Sequence, residues 1–273
     1  MADISRAATR IAAGNLSERI HTDESAGELS ELARVLNDTF ARLEAVFAEQ
    51  ARFTSDAAHE LRTPVSVILA QTQLALSRPR SATDYVETIE TVQRSAQRMQ
   101  GLMESLLTLA CLDAHSEPLQ RQPCDLAVLA AEHLDAIRPL ALERGIPLHS
   151  ELASTVCAVD LDRIGQILDN LLTNAVKYSR PGDEVRLATR LENGSAIVRV
   201  SDSGPGIATE HLPHLFERFY RADRSRNRST GGAGLGLAIC KSLAEAHGGS
   251  IQVESERGKG TAFTLRIPVG VTR

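Results

Sequence analysis

The sequence has no long apolar run, few cysteines and no excess of positive charge. No stretch of about 18 consecutive apolar residues occurs among its 273 residues, so no segment is predicted to span a membrane. Its cysteines show no Cys-x-x-Cys spacing, which argues against a disulfide framework or a structural zinc site and fits a reducing compartment. The net charge of −5 argues against nucleic acid as a partner.

The length and a hydrophobic content of 42% predict a globular protein with two domains or one large one. Residues 1–13 are typical of a helix that is already in progress and that stops at Gly14. We therefore expect that the sequence begins partway through a longer protein.

Apolar residues recur at alternating spacings of three and four from residue 29 to residue 57 without an intervening Gly or Pro. The pattern predicts a coiled coil between two chains or an amphipathic helix packed within one chain. Its length of roughly four heptads favours the coiled coil.

The same predicted helix continues through His59 and Glu60 and is broken at Pro79. Ser81 or Thr83 can cap a second helix, residues 84–112, which carries its own apolar stripe. One such hairpin is too thin to bury its apolar stripes. Two hairpins are therefore predicted to form a dimeric four-helix bundle with His59 on its outer face.

His59 and Glu60 lie side by side on the polar stripe of this helix, and Thr63 shares the histidine side. An exposed, neutral imidazole is a competent nucleophile, and an adjacent carboxylate can hold its other nitrogen. The pair therefore suits phosphoryl acceptance. The alternative is a surface histidine on an amphipathic helix.

Residues 113–123 have the composition of a linker, and the pattern then alternates between helices and strands. The predicted helices are residues 126–142, 161–178 and 235–247, and the predicted strands are residues 146–152, 155–159, 185–191, 196–201, 250–254 and 261–267. These elements predict an α/β domain with a mostly antiparallel sheet and helices on one face.

One face of the predicted helix 161–178 is polar where a core would be apolar. Asn170, Asn174 and Lys177 or Tyr178 follow one another at spacings of three to four. Amide oxygens suit Mg²⁺ and an ammonium group suits phosphate, although a polar face exposed to solvent is the alternative.

Two glycine-rich runs follow. DSGPGI, residues 202–207, places a carboxylate at the end of a strand before a tight turn, and GGAGLGLA, residues 231–238, leads into a helix whose N-terminus can face phosphates. A Rossmann fingerprint would need Gly or Ala in place of Leu237. A P-loop would need Ser or Thr where Gly260 follows Lys259.

These motifs together resemble those of the sensor histidine kinases of two-component systems. FTSDAAHELRTP, residues 53–64, resembles the family's phospho-accepting motif, and the later boxes occur in the family's order as far as the C-terminus. The amino-acid sequence around His59 is also similar to that of the heavy-metal-sensing subgroup. Residues 1–48 resemble a HAMP signal-relay module, with a plain helical linker as the alternative.

The resemblance implies a role for each matching residue. His59 would accept the phosphoryl group, Glu60 would orient and deprotonate the His59 imidazole, and Thr63 would position water for a phosphatase reaction. The implied nucleotide-contacting residues are Asn170, Asn174, Lys177, Tyr178, Asp202, Gly204, Gly206, Arg221, Gly232, Gly234, Leu235, Gly236, Leu237 and Thr261.

Within that set the resemblance distinguishes several functions. By this resemblance Asn174 would hold Mg²⁺, Lys177 would meet phosphate, and Tyr178 would lie by the base or ribose. Asp202 would accept a hydrogen bond from the adenine amino group, and Thr261 would lie near the base. In a mobile ATP lid, Phe216 and Phe219 would be the anchors, and Arg221 would reach the terminal phosphate.

The resemblance implies three parts: a partial HAMP-like relay, residues 1–48; a dimerisation and phosphotransfer hairpin, residues 49–113; and an ATP-binding domain of the histidine kinase, Hsp90 and gyrase fold, residues 114–273. It also implies a homodimer, a response regulator as partner and a membrane link only through a missing N-terminal sensor. A chaperone or topoisomerase ATPase, which would lack the acceptor motif, and a non-enzymatic scaffold that binds ATP are the alternatives.

Overall fold

The computed structural model describes residues 19–20, 27–113, 118–222 and 233–270. The chain divides into two compact units, Met1–Ser66 and Val67–Arg273. Within the described residues, no helix is both long enough and apolar enough to cross a membrane. The helix expected to end at Gly14 lies outside the described residues, and so do residues 224–230, which are rich in Arg and Ser.

The first unit is built on one continuous helix. Helix α1, Gly27–Leu76, is 50 residues long and runs through the apolar seam and His59, as predicted. The backbone N–H of Ile20 donates to Asn37 Oδ1 at 2.8 Å, and Asn37 Nδ2 donates to the Ile20 carbonyl at 2.9 Å. The buried Ile20 side chain packs in a small cluster with Ala33, Leu36 and Phe40. These contacts hold Ile20 against the helix.

The second helix begins with a capping box. Helix α2 spans Ala82–Asp113. Ser81 Oγ accepts the Asp84 N–H at 3.1 Å, and Asp84 Oδ2 accepts the Ser81 N–H at 3.3 Å. Ser81 is therefore the cap, rather than Thr83. In α2, Leu102 and Leu109 are buried within the second unit.

An α/β domain follows the helical hairpin region and confirms the predicted fold class. Its elements are β1 (Gln122–Asp125), α3 (Leu126–Glu143), β2 (Leu148–Leu152), β3 (Val156–Val159), α4 (Leu161–Tyr178), β4 (Val185–Glu192), β5 (Ser195–Asp202), a 3-10 helix (Thr209–His214), α5 (Gly236–Ala246), β6 (Ser250–Glu256) and β7 (Gly260–Pro268).

Five strands form one mixed sheet in the order β2-β4-β5-β7-β6. Only the β2–β4 pair is parallel, and the other neighbours are antiparallel. Helices α3, α4 and α5 pack on one face, where alternate strand residues such as Val185, Leu187, Val200 and Leu265 are almost fully buried. This arrangement brings the ends of α4, β5 and β7 into one region.

The sequence prediction missed strand β1. Residues up to 123 have the composition of a linker, but Gln122–Asp125 pairs antiparallel with β3 as a separate two-stranded sheet. Pro123 and the four-residue length hide the strand from periodicity, and its partner is distant in sequence. Asp125 then caps α3 by accepting the Ala127 N–H at 3.0 Å.

Candidate functional site

Helix α4 presents the asparagine-rich face predicted from its spacing. Its opposite face is buried in the domain, so Asn170 and Asn174 lie one turn apart on the partly exposed side. Asn170 Nδ2 donates to the Gln166 carbonyl at 3.0 Å. A Cβ atom on Gly236 would lie 2.7 Å from Asn170 Oδ1, so the start of α5 lies directly against this side chain.

Within the described residues, the N-terminus of α5 has no side-chain cap. Its N-cap residue is the buried Leu235, which cannot accept a hydrogen bond from the first-turn N–H groups. Free N–H groups at a helix N-terminus favour an anion such as phosphate. Leu237 follows in the first turn and is partly buried.

Asp202 ends β5 beside Thr261 of β7, its strand partner. The Gly204 N–H donates to Asp202 Oδ1 at 3.0 Å. Burial raises the pKa of the Asp202 carboxyl, although hydrogen bonds from the backbone of Gly204 and Thr261 oppose this shift. A partly buried carboxylate with this arrangement is a suitable acceptor for a ligand N–H group.

Ser179 lies beside the same carboxylate and was given no role in the sequence analysis. A Cβ atom on Gly204 would lie 2.9 Å from Asp202 Oδ1 and 3.5 Å from Ser179 Oγ. The Ser179 hydroxyl is buried and has no hydrogen-bond partner within the described residues. Such a group is satisfied by a ligand or a bound water, which fits a purine site at this end of the domain.

Gly206 is explained by contacts within the protein. Its φ is +66°, and a Cβ atom there would strike the backbone carbonyl of Glu256 at the β6–β7 turn. The Gly258 N–H donates to the Pro205 carbonyl at 2.7 Å, and the Ile207 N–H donates to Ser255 Oγ at 2.8 Å. Hydrogen bonds therefore hold the turn at residues 204–206 against the β6–β7 hairpin. Of its two glycines, Gly204 is the one next to the Asp202 carboxylate.

Positive charges gather at the C-terminal end of α4. Burial lowers the pKa of Lys177, and the positive charges of Arg221, Arg144 and Arg98 lower it further. The Lys177 ammonium also lies 5.4 Å from the centre of the half-exposed Tyr178 ring. An anion stabilises a partly buried lysine that lies among other cations. This cluster of positive charge is therefore suited to binding a triphosphate.

Residues 216–220, which contain Phe216 and Phe219, contact the second glycine run. The Phe219 N–H donates to the Gly234 carbonyl at 3.0 Å, and a Cβ atom on Gly234 would lie 2.8 Å from the Tyr220 carbonyl oxygen. Phe216 packs edge-on against Phe263 with ring centres 6.4 Å apart. Gly232, in the second glycine run, lies outside the described residues.

The expected acceptor lies in the other unit. His59 is exposed on α1, Glu60 is its partly buried neighbour, and Thr63 is exposed one turn further along. Thr63 Oγ1 donates to the His59 carbonyl at 3.3 Å. The imidazole is therefore accessible, and it lies five residues before Pro64, the proline inside this helix.

Comparison with known families finds matches for three parts of the chain. Residues 159–271 match the model described as "Histidine kinase-, DNA gyrase B-, and HSP90-like ATPase", residues 49–115 match the "His Kinase A (phospho-acceptor) domain", and residues 1–45 match the "HAMP domain". The α/β domain is thus an ATP-binding domain of this ATPase class.

Named relatives are consistent with these matches. The chain is 34% identical to the sensor protein CutS of Streptomyces coelicolor, over 97% of this chain and 64% of CutS. It is 37% identical to the sensor histidine kinase YkoH of Bacillus subtilis, over 89% of this chain and 53% of YkoH. With the sensor histidine kinase CusS of Escherichia coli O157:H7, identity is 34%, over 97% of this chain and 55% of CusS.

Solved structures show the same architecture. The Acinetobacter baumannii histidine kinase AdeS superposes with a TM-score of 0.63 at 26% identity, covering 78% of this chain and 98% of AdeS. Full-length ShkA in complex with AMPPNP gives a TM-score of 0.62 at 28% identity, covering 81% of this chain and 46% of ShkA.

The three domain matches and these relatives make the chain a member of the sensor histidine kinases of two-component systems. The similarity to CutS and CusS also supports the expected heavy-metal-sensor subgroup. The chain spans between about half and two thirds of the length of these curated relatives.

Proposed function

We propose that this chain transfers the γ-phosphoryl group of ATP to His59 and passes it on to an aspartate of a response regulator. The observation that carries the proposal is the exposed imidazole of His59, on a helix matched by the phospho-acceptor model, in a chain that also has an ATP-binding domain. The AMPPNP bound to the similar ShkA supports ATP as the donor.

The described side chains fit ATP from base to phosphate. Asp202 would accept a hydrogen bond from the adenine amino group, with the buried Ser179 hydroxyl and Thr261 beside it. Lys177, Arg221 and the uncapped N-terminus of α5 would stabilise the phosphates. Asn174, with Asn170 one turn earlier, offers amide oxygens for Mg²⁺, which would neutralise phosphate charge.

Phosphoryl transfer then needs an in-line attack. One ring nitrogen of His59 attacks the γ-phosphorus, the bond between that phosphorus and the bridging oxygen of ADP breaks, and Glu60 accepts the proton from the other ring nitrogen. Positioning and charge stabilisation by the residues above supply the rate enhancement. The phosphohistidine then donates its phosphoryl group to a carboxylate of the regulator.

Incubation with γ-labelled ATP tests this function. The parent protein should take up label that is lost in acid and survives in base, because a phosphoramidate on imidazole is acid-labile. His59→Gln should bind ATP normally and take up no label. Asn174→Asp should also take up none, because an added carboxylate repels phosphate and disturbs Mg²⁺ coordination. Label that resists acid, or that persists in His59→Gln, would exclude His59 as the acceptor.

We also propose phosphatase activity towards the regulator, with Thr63 positioning the attacking water. Thr63→Ala should keep autophosphorylation and lose dephosphorylation of the phosphorylated regulator. Thr54 is a matched control, because its hydroxyl makes the same kind of bond, to the Gln50 carbonyl at 2.9 Å. Equal loss of both activities in Thr63→Ala, or the same effect in Thr54→Ala, would contradict the assignment.

We propose that the chain works as a homodimer, with domain boundaries near residues 48 and 113. Large apolar side chains stay exposed along both long helices, among them Leu32 at 54%, Val46 at 61% and Ile89 at 65%. A second copy would bury them. Light scattering at micromolar concentration should give twice the monomer mass, and Ile89→Lys should weaken the dimer more than Glu90→Lys. A monomeric parent would contradict this proposal.

A further inference from the structure

Two cysteines that are far apart in sequence lie opposite each other in the small sheet. In the antiparallel pair of β1 and β3, Cys124 is the direct cross-strand partner of Cys157. Direct partners in an antiparallel pair project from the same face, with Cβ atoms about 4.5–5.5 Å apart. The two thiols are therefore neighbours, and Cys124 is among the groups that raise the pKa of Cys157.

The hydrogen-bond register defines the spacing of this pair. The Leu126 N–H donates to the Thr155 carbonyl at 3.0 Å, two residues beyond the cysteines in the same register. Bonded and non-bonded pairs alternate, so Cys124 and Cys157 occupy a hydrogen-bonded pair with Cα atoms about 5.5 Å apart. Pro123 lies in a non-hydrogen-bonded pair with Ala158, so the missing proline N–H costs the strand pair no hydrogen bond.

This spacing permits a disulfide but does not favour a relaxed one. A Cα separation of about 5.5 Å lies within the usual range for disulfides, whereas a relaxed bond brings the Cβ atoms to about 3.5–4.5 Å. The short strands β1 and β3 must therefore approach each other by about 1 Å. A disulfide formed under such strain is easily reduced.

The two thiols differ in accessibility. Cys124 is partly exposed and Cys157 is buried. Burial raises the pKa of both thiols, that of Cys157 to about 11. A dissolved oxidant therefore meets Cys124 first, and its reaction is slow at neutral pH because the thiolate is the nucleophile.

We propose that Cys124 and Cys157 form a reversible disulfide by exchange with a low-molecular-weight disulfide such as oxidised glutathione. The Cys124 thiolate attacks one glutathione sulfur, forming a mixed disulfide and releasing one glutathione thiolate. The Cys157 thiolate then attacks the Cys124 sulfur of that mixed disulfide and releases the second glutathione thiolate. The two protein thiols are oxidised, and one glutathione disulfide is reduced to two thiols.

The position of the bond gives it a structural consequence. Strand β1 follows Gln120, whose N–H donates to Asp160 Oδ2 at 2.9 Å, and β3 leads into Asp160, the N-cap of α4. The disulfide would join the beginning of the ATP-binding domain to the start of the helix that carries Asn170 and Asn174. It is a covalent brace that oxidation adds and reduction removes.

Incubation with oxidised glutathione, followed by alkylation and peptide mass spectrometry, tests the proposal. The folded parent should yield a linked pair of peptides containing Cys124 and Cys157, and reduced glutathione should reverse the link. The initial rate should rise about tenfold between pH 7 and pH 8. Absence of the linked pair, or linkage of Cys124 to another cysteine, would overturn the proposal.

Variants separate the two exchange steps. Cys157→Ser should trap Cys124 as the mixed disulfide with glutathione, whereas Cys124→Ser should leave Cys157 reduced. Cys111→Ser, on α2 and outside the strand pair, should form the link as the parent does. Rapid oxidation of Cys157 in Cys124→Ser would refute the proposed order. The peptide map of the parent decides the pairing even if a variant fails to fold.

Discussion

Asp202→Asn should separate the binding role of this residue from its effect on stability. The carboxylate is partly buried at the end of β5, accepts the Gly204 N–H through Oδ1, and lies near the unpartnered Ser179 hydroxyl. An amide can keep Oδ1 on the Gly204 N–H, but it then presents its NH₂ group where the adenine amino group needs an acceptor.

The expected loss of affinity follows from that mismatch. A hydrogen bond to a charged acceptor contributes about 1.5–3 kcal/mol, so ATP should bind about 10- to 150-fold more weakly to Asp202→Asn. Stability should change in the opposite direction. Because burial raises the pKa of Asp202 above its ordinary 3.8, ionisation destabilises the folded state, and the amide removes this cost at neutral pH.

The pH dependence of the unfolding stability tests the sign of the expected change in stability. A raised pKa in the folded state contributes stability that is fully present below pH 3.8 and is lost as the pH rises through the raised value. The variant should therefore gain on the parent in thermal unfolding at pH 7, and the difference should shrink as the pH falls towards 4. The measurements are calorimetric titration with ATP and thermal unfolding without ligand.

A matched control removes a carboxylate from the surface. Asp135 is exposed on α3 and pairs with Arg138 at 2.7 Å, so Asp135→Asn should not change ATP affinity appreciably. Unchanged ATP affinity in Asp202→Asn would refute the placement of adenine against this carboxylate.

Three further substitutions test the packing around the site. Leu109→Ala should lower the free energy of unfolding in urea by about 2–5 kcal/mol because Leu109 is fully buried. Leu142→Ala, on α3 at a position 73% exposed, should cost less than about 0.5 kcal/mol, and equal effects would contradict the burial. Gly236→Ala should weaken binding of a fluorescent ATP analogue by about tenfold or more, because the added Cβ would displace the Asn170 side chain. Gly101→Ala is the control, since open space surrounds Gly101, and it should not weaken binding. Unchanged binding in Gly236→Ala would count against the contact between Gly236 and Asn170. The neutral His247 ring accepts the Asp160 N–H and donates to the Leu243 carbonyl, and burial lowers its pKa below the ordinary 6.5. Its stabilising contribution is therefore fully present above pH 6.5 and is lost as the pH falls from there through the lowered pKa of the folded state. His247→Gln should make unfolding stability less dependent on pH between 7 and 5, and an unchanged profile would show that another group titrates.

The sequence by itself determined the local elements and the order of the functional motifs. Helix α1 was predictable because its apolar spacing persists through His59, and the strands β4 and β5 were predictable because they alternate around the Asn193-Gly194 turn. The face of α4 that carries Asn170 and Asn174 also follows from helical geometry alone. These features depend on interactions between residues close in the chain.

Only the tertiary structure decided which distant groups meet. Ser179 at the end of α4 is an ordinary position after a helix until the turn at Gly204 brings Asp202 beside it. Arg98 and Arg144 become neighbours of Lys177 only when three helices assemble. Strand β1 and its pairing of Cys124 with Cys157 had no local signal, because a four-residue strand with a proline acquires its hydrogen bonds from a partner more than thirty residues away. Periodicity records which face of an element is apolar, whereas the contacts between elements depend on how those faces pack.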